Sequence, residues 1–243
     1  VVAKEGLFET LPNDILVNVP SWASDKKGYW VGTSGRSRSL VIDTRDVTPE
    51  ELPNDIYGLA DEKFRSRLGL APTNSSFIAM VSCMIELDGE EKVLDWLSSI
   101  NSLDYTEYPK NSPQVAAADS GELDIGMVNH YYTLRLLAEN GDSSIKNVYL
   151  DSGCGAMVMP AGVGILSSSQ NKTAAMAFIE FLHSKSVQET FTNSLYEFPL
   201  VKGIEPNDLL PNLENLNSPL NLNWSALAIW QEKAVELIAK SGF

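Results

Sequence analysis

Histidine and cysteine are scarce, with two of each among 243 residues. His130, His183, Cys83 and Cys154 fit none of the paired spacings that hold zinc. A thiolate enzyme would need Cys154, in SGCGAM, with one of the two histidines as base, and neither local pattern matches a cysteine-hydrolase signature. Cys83 and Cys154 read as small buried hydrophobes, with a disulfide as the alternative if the chain is exported. Basic residues are also in short supply: 18 Lys+Arg stand against 32 Asp+Glu, a formal net charge of -14. Without a Lys/Arg run, nucleic acid is not an expected partner. No apolar segment approaches the roughly 18 to 20 uncharged residues that span a bilayer, so no membrane-spanning helix is expected. The opening VVAKEGLFETLP has neither the basic start nor the small-residue cleavage site of an export signal. The expectation is an intracellular protein or one from which an earlier segment has been removed. Internal repeats and low-complexity tracts are absent.

What is present is the composition of a folded protein, 44% apolar and 21% charged, with length for one large or two modest domains. Short apolar runs alternate with amphipathic stretches, the pattern of an α/β protein. From Ser75 the apolar residues Phe77, Met80, Val81, Met84 and Ile85 form a helical stripe with serine in the capping position, ended at Asp88-Gly89. Val93, Trp96, Leu97 and Ile100 form a second stripe. A short helix around 115–118, a turn at Ser120-Gly121 and a buried strand over 123–128 follow. IKNVYL and AMVMPAGVGIL read as strands, residues 171–194 as helix capped by Asn171 or Ser169, and 197–219 as a long irregular stretch. The last helix places Leu227, Trp230, Ala234, Leu237 and Ile238 on one face.

The segment GMVNHYYTLRLLAENG puts Tyr131 and Tyr132 where the buried strand gives way to a helix over 132–139 that Asn140-Gly141 stops. Adjacent residues diverge on a regular strand or helix, so the junction is where both phenols can reach one target. A free phenol has a pKa near 10, and a strongly Lewis-acidic cation stabilises its ionised form directly. Fe3+ prefers anionic oxygen, so paired phenolates suit it. Ring packing and hydroxyl hydrogen bonds are the structural alternative for the same pair.

WVGTSGRSRSLVIDT (30–44), ELPNDIYGL, RLGLAPTNSSF, Trp96-Leu97, VNHYY and LYEFPLV (195–201) stand in collinear order. Together they resemble the ferric-ion-binding proteins of bacterial iron transporters, which are type II periplasmic solute-binding proteins. The resemblance implies an α/β fold of two lobes joined by crossing strands. Residues 1–37 and 162–212 would form the first lobe, and 38–161 and 213–243 the second, which carries the tyrosine pair. It implies Fe3+ held by Tyr131 and Tyr132 in a cleft between lobes, with an auxiliary anion such as carbonate or phosphate. Asn74, Ser75 and Ser76 at a helix start, Asn111 in KNSP, and Asn129 match the positions that hold the anion. Serine hydroxyls and free N–H groups at a helix start are a reasonable anion cradle on physical grounds alone, and Ser75 and Ser76 serve equally as plain caps. Arg36 and Arg38, two apart on a strand, share a face and can hold an anion together or bridge the lobes. Phe77 stands where some members carry a third tyrosine and cannot ligate, which resembles the anion-assisted branch.

The family's opening strands and helices, with a histidine and a carboxylate for the metal, have no counterpart before Val1. The first lobe is therefore expected to be incomplete at its N-terminus, and a lipid anchor could lie upstream. The implied role is a monomeric, periplasmic or extracytoplasmic carrier that gives ferric iron to an inner-membrane ABC permease without being an enzyme. The alternative in the same class binds a small organic or phosphorus-containing anion, with the tyrosines as ring contacts. His130 is a further candidate ligand, and His183 reads as a partner of a helix C-terminal dipole.

Overall fold

The computed structural model describes residues 2, 3, 5–216, 218, 219, 222 and 224–243. In chain order the elements are α1 (Asn13–Leu16), β1 (Val31–Asp43), β2 (Leu68–Leu70), α2 (Ser75–Asp88), α3 (Glu90–Asn101) and β3 (Thr106–Glu107). They continue with α4 (Asn111–Ser120), β4 (Ile125–Asn129), α5 (His130–Asn140), β5 (Ile145–Val148) and β6 (Val158–Val163). The last are α6 (Lys172–Leu182), α7 (Lys185–Asn193), β7 (Phe198–Pro199) and α8 (Trp224–Lys240). Two compact units emerge. The first comprises Val1–Arg36, Val158–Asn215 and Leu220–Ser225; the second comprises Ser37–Met157, Leu216–Pro219 and Ala226–Phe243.

In the first unit, β1 pairs with β6 and, antiparallel, with β7 through Ser34–Pro199 and Gly35–Phe198. Leu11, Ile15, Val19, Ala23, Val31, Ile165, Ile179 and Leu200 make its core. Gln188 of α7, fully buried, serves this core as a polar clamp. Its Nε2 donates to the carbonyls of Thr33 and Leu182, and its Oε1 accepts from the backbone of Leu200. Saturating both ends of the amide is what allows it to sit in an apolar interior.

The second unit holds the strand order β3-β2-β4-β1-β5. β2 runs parallel to β3 and β4, whereas β1 is antiparallel to β4 and β5. Parallel neighbours need crossover connections, and α2 with α3, then α4, supply them. Gly126 lets α4 come close to the sheet: a Cβ there would lie 2.8 Å from Val41 Cγ1 and 3.3 Å from Gln114 Cβ. The approach is fastened by Gln114 Oε1, which accepts from the Met127 backbone N–H at 3.0 Å. Cys83 of α2 and Cys154 are joined by a disulfide with Cα atoms 5.8 Å apart, the exported alternative of the two readings.

Most element types match their sequence pattern, and the differences have local causes. Asn74, not a serine, caps α2, because its Oδ1 accepts from the Ser76 N–H at 3.0 Å. The short helix expected over 115–118 begins at Asn111 and runs to Ser120. The expected strand over 123–128 occupies Ile125–Asn129. The helical stretch 171–194 divides into two helices at His183-Ser184. Neither proposed side chain caps α6; Ser169 Oγ accepts from the Asn171 N–H instead. Of the irregular stretch 197–219, Asn217 lies outside the described residues.

Candidate metal and anion site

Strand β4 ends at Asn129, and α5 begins at the next residue, so Tyr131 and Tyr132 fall in the first helical turn. There the backbone N–H groups lack intrahelical partners and the helix end is positive. The two rings lie 4.2 Å apart between centroids, tilted by 33°. Tyr131 is buried, and Tyr132 is half-buried against the cluster of Val41, Val115, Ala118, Val128 and Ile145. The Arg135 guanidinium, one helical turn on, sits 4.7 Å from the Tyr131 ring centroid. Sequence reasoning missed this contact, although the i, i+4 spacing signals it.

Arg38 organises the neighbouring polar cluster. Its Nη1 donates to Asn129 Oδ1 at 3.0 Å and to Ser76 Oγ at 3.1 Å, and its Nη2 donates to the Met127 carbonyl at 3.0 Å. Ser76 Oγ donates a hydrogen bond to Asn74 Oδ1 at 2.6 Å and also accepts from Asn111 Nδ2 at 3.4 Å. Five of the expected anion residues, Arg38, Asn74, Ser76, Asn111 and Asn129, thus form one hydrogen-bonded group. They bring together the starts of α2 and α4 and the residue that precedes α5. Ser75, beside them, is exposed.

The orientations of the amides follow from the donors around them. The guanidinium only donates, so Asn129 must turn Oδ1 toward it, and the Nδ2 donors of Asn129 remain uncommitted. Asn111 must turn Nδ2 toward Ser76, whose single proton is already taken, and this leaves Asn111 Oδ1 buried without a partner. Arg38 Nε is likewise buried and unpartnered. Among the described residues no carboxylate pairs with Arg38, although the residue is only 1% exposed. Burial pushes the guanidinium down to about 9, and an ionised Tyr131 works against that shift; at neutral pH it stays a cation. A buried cation with neutral partners alone is costly and calls for a negative charge nearby.

Arg36 falls in the first unit, where its Nε lies 3.2 Å from Glu197 Oε2, an atom that also accepts from Ser34 Oγ at 2.5 Å. His130 is fully buried, and its Nδ1 lies 3.1 Å from the Ser37 backbone N–H, from which it accepts. Asn147 Nδ2 holds the carbonyl of the same residue at 2.8 Å. His183 places Nε2 2.9 Å from the Gly32 carbonyl, and burial lowers its pKa, more than that hydrogen bond raises it. It stands at the C-terminal end of α6, where a dipole partner was expected, and its ring also reaches across to β1. Cys154, bonded to Cys83, has no thiol to serve as nucleophile.

No group of three or more His, Cys, Asp or Glu side chains suited to a metal occurs among the described residues. Among them, too, no helix is long and apolar enough to cross a membrane. The family description "bacterial extracellular solute-binding protein" matches residues 2–228, and the chain belongs to that family. It is 33% identical to the major ferric iron-binding protein of Neisseria meningitidis serogroup B, covering 89% of this chain and 65% of that protein. It is 31% identical to the Fe(3+)-binding periplasmic protein of Serratia marcescens, covering 97% and 70% respectively. The crystal structure of iron-bound HitA from Pseudomonas aeruginosa superposes with a TM-score of 0.92 at 27% identity, covering 100% of this chain and 78% of that one.

Proposed function

We propose that the chain binds ferric iron through the phenolate oxygens of Tyr131 and Tyr132, as part of an extracytoplasmic carrier that delivers it to an inner-membrane ABC permease. An auxiliary anion, of the carbonate or phosphate kind, completes the metal shell. It is held by the group around Arg38, Ser76, Asn111 and Asn129, with Asn74 and Ser75 at the same helix start. The observation that carries this reading is the pair of adjacent phenols in the first turn of α5, next to a buried guanidinium with no carboxylate partner among the described residues. Positive potential from helix starts and a guanidinium suits anionic oxygen, and a hard trivalent cation then joins the oxygens into one site. The names of the Neisseria and Serratia relatives support ferric iron as the cargo and the periplasm as the compartment. The disulfide fits an oxidising compartment.

Binding and release need no covalent step. The carrier works if the permease engages the loaded form preferentially, which requires a difference in free energy between loaded and empty states. The deciding experiment is to add ferric iron to chelator-stripped protein and record its visible spectrum alongside metal analysis. Phenolate bound to Fe3+ absorbs visible light, whereas an anion-only binder stays colourless. Bound iron without that absorption, or no bound iron, overturns the assignment.

A further inference from the structure

We propose that Asn147 is a positioning residue for the tyrosine pair: through its side-chain amide, strand β1 fixes the peptide plane from which Tyr131 leaves the chain. This rests on the ferric reading above and deepens it, since it concerns how the phenols are aimed rather than what they bind. β5 pairs antiparallel with β1, with Asn147 opposite Val41. Ser39 lies two positions before Val41 on the same face, so Ser39 and Asn147 are diagonal neighbours. Along that face Val41 and Ile145 pack against Tyr132, Leu136 and Leu137 of α5. Beyond them the row turns polar. Ser39, only 1% exposed, donates from Oγ to Asn147 Oδ1 at 3.2 Å, and Asn147 Nδ2 donates to the His130 carbonyl at 2.8 Å.

An amide engaged at both ends has one orientation. The peptide bond is planar, so holding the His130 oxygen also holds the nitrogen and Cα of Tyr131. Two further contacts from β1 reach the same turn. The Ser37 backbone N–H donates to Nδ1 of His130, whose ring stands edge-on to that of Tyr131 with centroids 5.8 Å apart. Arg38 Nη1 holds Asn129 Oδ1. Three consecutive residues of β1, Ser37, Arg38 and Ser39, thus grip the turn that carries both phenols. Of the three grips, the one through Asn147 acts on the peptide that enters Tyr131. Helix ends fray, and a binding constellation works only if its groups are held within about 0.5 Å of the productive geometry.

The test uses the full chain, stripped of metal and loaded with ferric iron, and follows the phenolate–iron absorption while a competing chelator is titrated in. Asn147→Leu keeps the size of the side chain and removes both hydrogen bonds. It is expected to shift the absorption maximum and to lower iron retention about tenfold, the range in which supporting residues around metals act. Ser39→Ala leaves the amide free to turn, and should shift the band in the same direction with a smaller loss. In the Asn147→Leu background Ser39→Ala adds nothing further, because the serine acts through the amide. Lost stability alone reduces the amount of loaded protein and leaves the band of the folded fraction in place, so the band separates aiming of the phenols from support of the fold. A folded Asn147→Leu protein with the parent's band and retention overturns the assignment. So does a full Ser39→Ala effect in the Asn147→Leu background. If Asn147→Leu does not fold, Ser39→Ala decides alone, and an unshifted band there is the overturning result. A parent protein without the absorption defeats the ferric reading itself and takes this assignment with it, a result distinguishable from the others.

Discussion

Arg38 Nη1 holds the side-chain oxygen of Asn129 at 3.0 Å, tying strand β1 to the residue that launches α5 and its two tyrosines. The same nitrogen reaches Ser76 in the first turn of α2, so one buried cation fastens two helix starts. Positions 91 residues apart in sequence are thereby set in one polar group beside the phenols.

Removing either phenol oxygen tests the metal assignment most directly. Tyr131→Phe and Tyr132→Phe each keep the ring, so the 4.2 Å ring contact is retained while the proposed ligand oxygen is lost. Each is expected to weaken iron retention by more than about 100-fold and to remove most of the visible absorption, since even supporting residues around metals cost 10- to 100-fold. Spectral titration with chelator competition measures both effects. Parent-like colour in either variant would exclude that residue as a ligand.

Arg38→Met tests the role of the guanidinium in the fold. It leaves Asn129 Oδ1 and the Met127 carbonyl without donors, at about 1–3 kcal/mol each, and partly offsets this by removing a buried charge. A net loss of about 2 kcal/mol is expected from urea unfolding of the metal-free protein. A variant as stable as the parent would show that the buried charge costs as much as its hydrogen bonds contribute.

The disulfide closes a long loop, with Cys83 and Cys154 separated by 71 positions. On the chain-entropy account it contributes about 4 kcal/mol. The double substitution Cys83→Ala, Cys154→Ala should lower unfolding stability by roughly that amount. Reductant should destabilise the parent and leave the double variant unaffected.

His183 makes the first unit sensitive to acid. Burial depresses its pKa below the ordinary 6.5, so the unfolded chain takes up the proton first as pH falls. Its contribution is fully present above about pH 6.5 and is lost as pH falls through the lower, folded value. Unfolding followed from pH 8 to pH 5 should show a smaller loss in His183→Gln than in the parent. Parallel curves would mean that other groups carry the acid sensitivity.

Much of this could be read locally. The stripes of α2, α3 and α8 place Met80, Val93, Leu97 and Leu237 inside, because helical periodicity is a property of neighbouring residues. The strand-to-helix junction was visible too, but the helix expected from Tyr132 begins at His130, which takes both tyrosines into its first turn. The separate partners of Arg36 and Arg38 were not visible. Positions two apart do share a face on a regular strand, yet here Arg36 belongs to the first unit with Glu197 and Arg38 to the second with Asn129. The extent of α4 was missed for a related reason. Its apolar face is set by the approach to β4 that Gly126 permits, and little periodicity marks it in sequence.

From residue order alone came the α/β class, the position of the phenol pair and the family resemblance, since each depends on spacing along a short stretch. Folding in three dimensions settled which polar side chains meet: that Arg38 is buried among Ser76, Asn129 and the Met127 carbonyl, that Asn74 rather than serine caps α2, and that the two cysteines are bonded. Those outcomes depend on contacts between distant segments, and the hydrogen-bond and charge balance of a buried group is defined only once every neighbour is in place.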